Sequence, residues 1–122
     1  AVEIIEMHES GKKDAPSGTA TATARRLAAA RSQSASGPFR RAPTSLMKLD
    51  GARGAETDGI GIHSLRLPGV VTHQEVLFGG GGETLRIVHD STSRASFMPG
   101  MLLAVRAARD LTTFVDGLES LL

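Results

Sequence analysis

Three β-rich segments in the second half of the chain constrain its fold most. Ile60 to Arg66, Val70 to Phe78 and Glu83 to Asp90 are rich in β-branched and apolar residues and bounded by turn chemistry. Leu67-Pro68-Gly69 and the run Gly79 to Gly82 separate them, which predicts two successive antiparallel hairpins. In the middle segment Val70, Thr72, Gln74, Val76 and Phe78 line one face, while Val71, His73, Glu75 and Leu77 line the other. Both faces are half apolar. That pattern does not suit a sheet with one side in water; it suits a helix on one face and a protein partner on the other.

A fourth strand and its cover come from the start of the chain. Val2 to Met7 is short, β-branched and flanked by polar residues, which reads as a buried strand. Pro16 discourages helix before it and Ser17 can cap a helix running to about Arg31. On that helix Ala20, Ala24, Leu27 and Ala28 share a face, and so many alanines allow close approach to a sheet. The stretch from Ser32 to Asp58 is rich in Ser, Gly, Arg and Pro and has no period beyond a Leu46–Met47 island. A second helix is predicted from about Pro99 to Asp110, with Met101, Ala104, Val105 and Ala108 as its apolar stripe. The expected class is α+β: a four-stranded mixed, mostly antiparallel sheet, the Gly18–Arg31 helix packed on one face, and a C-terminal helix.

Composition narrows the possible partners. The 122 residues suffice for one domain, and the only aromatic residues are four Phe, so the interior must be aliphatic. Such a surface stacks bases poorly, and a net charge of +1 sets up no field for a polyanion, so nucleic acid is not an expected partner. The absence of cysteine excludes disulfides, cysteine-bound zinc and a thiol nucleophile. The longest apolar run, Met101 to Val105, is far short of a membrane span, and no charged-then-apolar leader is visible, so no membrane association and a cytoplasmic location are expected. The chain opens at Ala1 directly on a strand, which leads us to expect a piece of a longer protein.

The chemistry is concentrated between His8 and Thr19, where a strand end and a basic loop meet a helix start. The first amides of a helix lack intrahelical acceptors and carry partial positive charge, so they suit a carboxylate or phosphate. Gly18 allows close approach to the backbone, Thr19 adds a hydroxyl, Lys12 adds a full charge, and His8 adds an imidazole, the side-chain type most used to pass protons at neutral pH. A capping Ser17 beside solvated His8, Lys12 and Lys13 accounts for the same residues equally well. Other signals are weaker. Gly79 to Gly82 is followed by no Lys-Ser/Thr and reads as a hairpin turn. His8-Glu9 begins like a zinc-protease helix, but Lys12 stands where the second His is required. His63, His73 and His89 fall on three neighbouring strand candidates, and exposed or core-edge histidines are the expectation rather than a metal cluster. No Gly-x-Gly-x-x-Gly is present, so no dinucleotide site is visible in this chain.

The run Glu6-Met7-His8-Glu9-Ser10-Gly11-Lys12-Lys13-Asp14-Ala15-Pro16-Ser17-Gly18-Thr19-Ala20 resembles the signature of the dihydrodipicolinate reductase (4-hydroxy-tetrahydrodipicolinate reductase) family, Glu-x-His-His-x-x-Lys-x-Asp-Ala-Pro-Ser-Gly-Thr-Ala. The likeness continues through Gly61 to Arg66, His73 to Phe78, Gly82 to Leu85 with Ile87 and His89, and Thr92-Ser93-Arg94 with Phe97 and Gly100. The resemblance implies an amino-terminal Rossmann domain that holds NADH or NADPH, and a second domain that binds a small cyclic dicarboxylate and forms a homotetramer through its sheet face. It divides this chain into residues 1–95, the substrate-binding and oligomerisation part, and residues 96–122, which return to a nucleotide domain outside it. By the same resemblance His8 is the general acid–base, Lys12 the proton donor and substrate contact, and Gly18 and Thr19 the grip on a substrate carboxylate. Arg94 matches a residue near the domain junction. Cofactor-binding and metal-ligating residues are not expected within the chain. One position departs: Glu9 replaces the family's second His, and a carboxylate there opposes a dianionic substrate unless it is protonated, paired with Lys13 or turned away. The alternative is an assembly or dicarboxylate-binding module that kept the sheet and lost the chemistry.

Overall fold

The computed structural model describes residues 1–122, which form two compact units, Ala1–Asp90 and Ser91–Leu122. The first unit begins with strand β1 (Val2–His8), followed by helix α1 (Gly18–Ser32) and a long irregular connection. Strands β2 (Ala55–Thr57), β3 (Ile60–Arg66), β4 (Thr72–Gly80) and β5 (Glu83–Ser91) come next. The class is α+β, as expected, with a mixed sheet of five strands rather than four in the order β2-β3-β1-β4-β5.

Two features of the sheet differ from the sequence expectation. The extra strand, β2, lies in the stretch that shows no period. It pairs antiparallel with β3, Thr57 opposite Ile60, across a two-residue Asp58-Gly59 turn. Both turn residues have positive φ (53° and 76°), the backbone that an Asp-Gly hairpin favours. Any side chain at residue 59 would also collide with the Phe39 carbonyl. The second difference is topological. β3 and β4 do not form the predicted hairpin, because β1 lies between them, parallel to β3 and antiparallel to β4. The β-branched run of β1 is thereby paired along both edges. The connection 67–71 has only to cross two interstrand spacings, roughly 10 Å, which five extended residues span with slack. The Leu67 amide donates to the His8 carbonyl at 3.0 Å, so the chain leaving β3 stays attached to the end of β1. The hairpin from β4 to β5 is formed as predicted.

Alternation along β1 sends Val2, Ile4 and Glu6 to one face, and all three are buried. There Val2 and Ile4 meet Ile60 and Ile62 of β3, Val76 of β4, and Ala20 and Ala24 of α1, with Leu27, Phe39 and Phe78 at the rim. The alanines let the helix axis lie close over the sheet, so the core is thin and aliphatic. Helix α1 begins where expected: the Ser17 side chain accepts from the Ala20 amide at 3.2 Å, and the helix ends one residue beyond the predicted Arg31.

The opposite face carries Glu3, Ile5 and Met7 on β1 and His63 and Leu65 on β3. There the connection 33–54 is fastened to β1 by ion pairs. Arg41 donates to both Glu3 oxygens (3.1 and 3.0 Å), Arg53 to Oε1 (3.1 Å), and His63 Nε2 lies 2.8 Å from Oε2. Burial opposes ionisation of Glu3, but hydrogen bonds from Arg41, His63 and Arg53 outweigh it and lower its pKa from 4.5 to about 2.

In the second unit Ser93 caps a 3₁₀ turn, Arg94–Phe97, that runs into helix α2 (Met98–Ala107), with Pro99 in its first turn as expected. The helix stops three residues before the predicted Asp110, whose amide bonds to Ala107 in a tighter turn. Met101 and Val105 of its apolar stripe remain exposed.

Candidate active site

The site is built at the C-terminal end of β1. His8 is the last residue of that strand and lies between Arg66 of β3 and Thr72 of β4 in the ladders. The following loop turns at once, the Lys12 amide donating to the Glu9 carbonyl at 3.1 Å, and reaches a cis Ala15–Pro16 bond just before α1. Because α1 follows β1 directly, its amino end comes back to the strand end that carries His8.

One buried carboxylate links these parts. Glu6 Oε1 accepts from the Ser17 amide (3.2 Å) and from Arg66 (2.9 Å), while Oε2 accepts from Arg66 (3.0 Å) and contacts His8 Nδ1 (2.5 Å). Arg66 also donates to the Asp14 carbonyl at 2.7 Å, clamping the loop to β3. Burial would raise the Glu6 pKa, but hydrogen bonds from Arg66, Ser64 and His8 prevail and hold it below the usual carboxylate value. The other imidazole nitrogen, Nε2, is 3.1 Å from the Thr72 hydroxyl.

The residues singled out in the sequence take these places. His8 is partly buried and shares the Glu6 carboxylate with the residue that caps α1. Lys12 Nζ is 2.7 Å from Asp14 Oδ1, whose carboxyl is held below its usual pKa chiefly by that bond. Gly18 and Thr19 supply the first two amides of α1, which have no intrahelical acceptor. Nothing lies within 4 Å of where a Gly18 side chain would begin, so the helix end is open on that side. The Thr19 hydroxyl is 3.2 Å from that of Ser17. Arg94 lies in the second unit, at the start of the 3₁₀ turn. Glu9 is exposed.

The histidines on the strands form no metal cluster, and no group of three or more His, Cys, Asp or Glu is placed to hold an ion. His63 serves Glu3, and His73 Nδ1 lies 2.6 Å from Asp90 Oδ1. His89, next to Asp90 on an extended strand, points to the other face. Sequence reasoning assigned no role to Glu6, Arg66 or Thr72. A signal for Glu6 was present: in Val2-x-Ile4-x-Glu6 it continues the inward, apolar series, and a carboxylate buried there requires a cation.

The family model described as dihydrodipicolinate reductase, C-terminus, matches residues 1–122. The chain belongs to this family. It is 52% identical over 122 residues to the 4-hydroxy-tetrahydrodipicolinate reductase of Streptomyces griseus subsp. griseus, covering all of this chain and 48% of that protein. It is 51% identical over 121 residues to the enzyme of the same name from Halalkalibacterium halodurans, covering 99% of this chain and 44% of that protein. Among solved structures, a dipicolinate-bound dihydrodipicolinate reductase from Paenisporosarcina sp. TG-14 superposes with a TM-score of 0.80 at 46% identity, over 99% of this chain and 44% of that one. The chain thus spans about half the length of the curated relatives it matches.

Proposed function

We propose that this chain is the substrate-binding and proton-handling part of a reductase that converts 4-hydroxy-tetrahydrodipicolinate to tetrahydrodipicolinate in diaminopimelate and lysine biosynthesis. The observation that carries the reading is the open amino end of α1 lying beside His8, the two joined through Glu6. One ring carboxylate sits on the Gly18 and Thr19 amides and the Thr19 hydroxyl, where helix-end charge and unpaired donors favour an anion. Lys12 leaves Asp14, turns to the substrate and balances its second charge. His8, facing the ring through Nε2, exchanges the proton that accompanies reduction. A reduced nicotinamide, NADH or NADPH, supplies the hydride in this reading. These residues include no glycine-rich strand–turn–helix to hold it, so the roles assigned here do not run through it.

The remaining roles follow the same reading. Residues 1–95 bind substrate and assemble, and residues 96–122 return to the nucleotide-binding part, near which Arg94 lies. Four copies join through the sheet face opposite α1, where Ile5 and Met7 are half-buried and Leu65 is exposed. In the same reading the enzyme works in the cytoplasm, where the soluble precursors of a biosynthetic reductase are made. No helix here is long and apolar enough to cross a membrane.

The test is calorimetry of the intact protein with pyridine-2,6-dicarboxylate, a planar mimic of the substrate and the ligand named for the Paenisporosarcina structure. Saturable binding at one site per chain, weakened by Lys12→Ala, is expected. No binding heat, or binding indifferent to Lys12, overturns the assignment.

A further inference from the structure

We propose that Glu6 is the positioning residue for His8: its buried carboxylate fixes the imidazole proton on Nδ1 and so leaves Nε2 as the nitrogen that trades protons. The inference rests on the reading of His8 as the acid–base group, and deepens it. Glu6 is fully buried, and its two oxygens accept from Arg66, the Ser17 amide and His8. An ionised carboxylate can only accept, so the 2.5 Å contact requires the hydrogen to sit on Nδ1. The set of donors around Glu6, with hydrogen bonds outweighing burial, keeps it in that ionised form.

The other side of the ring fits the same assignment. Nε2 faces the Thr72 hydroxyl at 3.1 Å, and a hydroxyl either donates to a bare nitrogen or accepts from a protonated one. His8 therefore keeps a partner on both nitrogens whether it is neutral or charged, and only the Nε2 proton changes. Ring rotation is opposed because turning it over would set Cδ2 against the carboxylate and Cε1 against the Thr72 hydroxyl, losing both hydrogen bonds. Arg66 ties Glu6 to the Asp14 carbonyl, so the same group that sets the tautomer also sets the loop bearing Lys12. A residue that merely buried a counter-charge for Arg66 would not need the His8 contact.

The experiment uses the intact reductase and two readouts. With histidine labelled in nitrogen-15, the His8 imidazole signals of the unaltered protein are expected to show neutral rings protonated at Nδ1; protonation at Nε2 overturns the proposal without any variant being made. Steady-state kinetics are then compared for Glu6→Gln, His8→Ala and the double variant. Glu6→Gln is expected to lower kcat at least about tenfold while KM moves far less. The double variant should be no slower than His8→Ala, because Glu6 acts through that ring. Independent, multiplying losses would instead mark Glu6 as purely structural and overturn the proposal. If His8→Ala leaves turnover intact, the acid–base reading of His8 fails and the positioning role with it, whereas the nitrogen-15 spectrum still reports separately which ring nitrogen carries the proton beside Glu6.

Discussion

Replacing Arg66 with methionine keeps most of the aliphatic stem but removes the guanidinium that spans Glu6 and the Asp14 carbonyl. Glu6 is fully buried, so its charge would be stranded, and breaking a buried pair from one side costs about 3–5 kcal/mol. Protonating Glu6 is the escape, and from an ordinary value of about 4.3 that costs about 4 kcal/mol at neutral pH. The two routes agree, and the expected loss is about 3–4 kcal/mol near pH 7. Its pH dependence has a definite sign. In the unaltered protein the Glu6 pKa is depressed, so its contribution is complete above the unfolded value and is lost as pH falls through the folded one. Without Arg66, burial raises the pKa and stability improves as acid protonates the group. The gap between the two proteins should therefore narrow below about pH 5. Hydrogen exchange read by mass spectrometry on peptides covering β1 and β3 of the intact protein measures the local opening free energy at both pH values. A loss under about 1 kcal/mol at neutral pH, or a gap that stays constant into acid, would refute the buried-charge account.

Further outcomes are expected. Lys12→Ala in the intact enzyme should both raise the substrate KM and lower kcat, since the ammonium is assigned to binding and to proton donation; unaltered steady-state constants would remove it from the site. Glu9→His should lower the substrate KM by replacing an anion with a group that can be cationic, and kinetics showing no change or a rise would clear Glu9 of any inhibitory effect. On the other sheet face, Glu3 has its pKa lowered from 4.5 to about 2, so its stabilisation is present above about pH 4.5 and is lost between there and pH 2. The full shift is worth about 3 kcal/mol, which partial exposure reduces to about 1–2. Glu3→Gln should flatten that acid limb in pH-dependent exchange of β1, and an unchanged limb would show that the arginines do not act through Glu3.

Periodicity made most of the elements legible, because it records which face a residue takes. The Val2–Met7 run, the Ser17 cap and the segment from Ile60 to Arg66 are read from the chain with bounds within a residue of those observed. Which strand lies beside which is another matter. A strand pairs through its backbone, which every residue shares, so alternation in Ile60–Arg66 and Val70–Phe78 left β3 and β4 looking like a hairpin. The need of β1 for partners on both edges decided otherwise. β2 was missed because three residues are too few to show a period, although the Asp58-Gly59 pair signalled its turn.

The site depends on that neighbour relation more than on the signature residues themselves. His8 and Glu6 are two apart on one strand and so share a face in any sheet, but Arg66 and Thr72 reach them only because β1 is flanked by β3 in parallel and β4 in antiparallel register. A slip of one residue on β3 would carry Arg66 to the opposite face and leave Glu6 buried without its cation. The ion pair therefore works as a register lock on β3: the pairing that satisfies the Glu6 charge is the one that sets Arg66 beside His8 and ties the Lys12 loop to β3. Fold stability and the placement of the proton-carrying nitrogen are two consequences of the same buried contact. For that reason Arg66→Met is expected to disturb both, whereas Lys12→Ala, at a pair nearer the surface, should disturb substrate binding and turnover and leave fold stability unchanged.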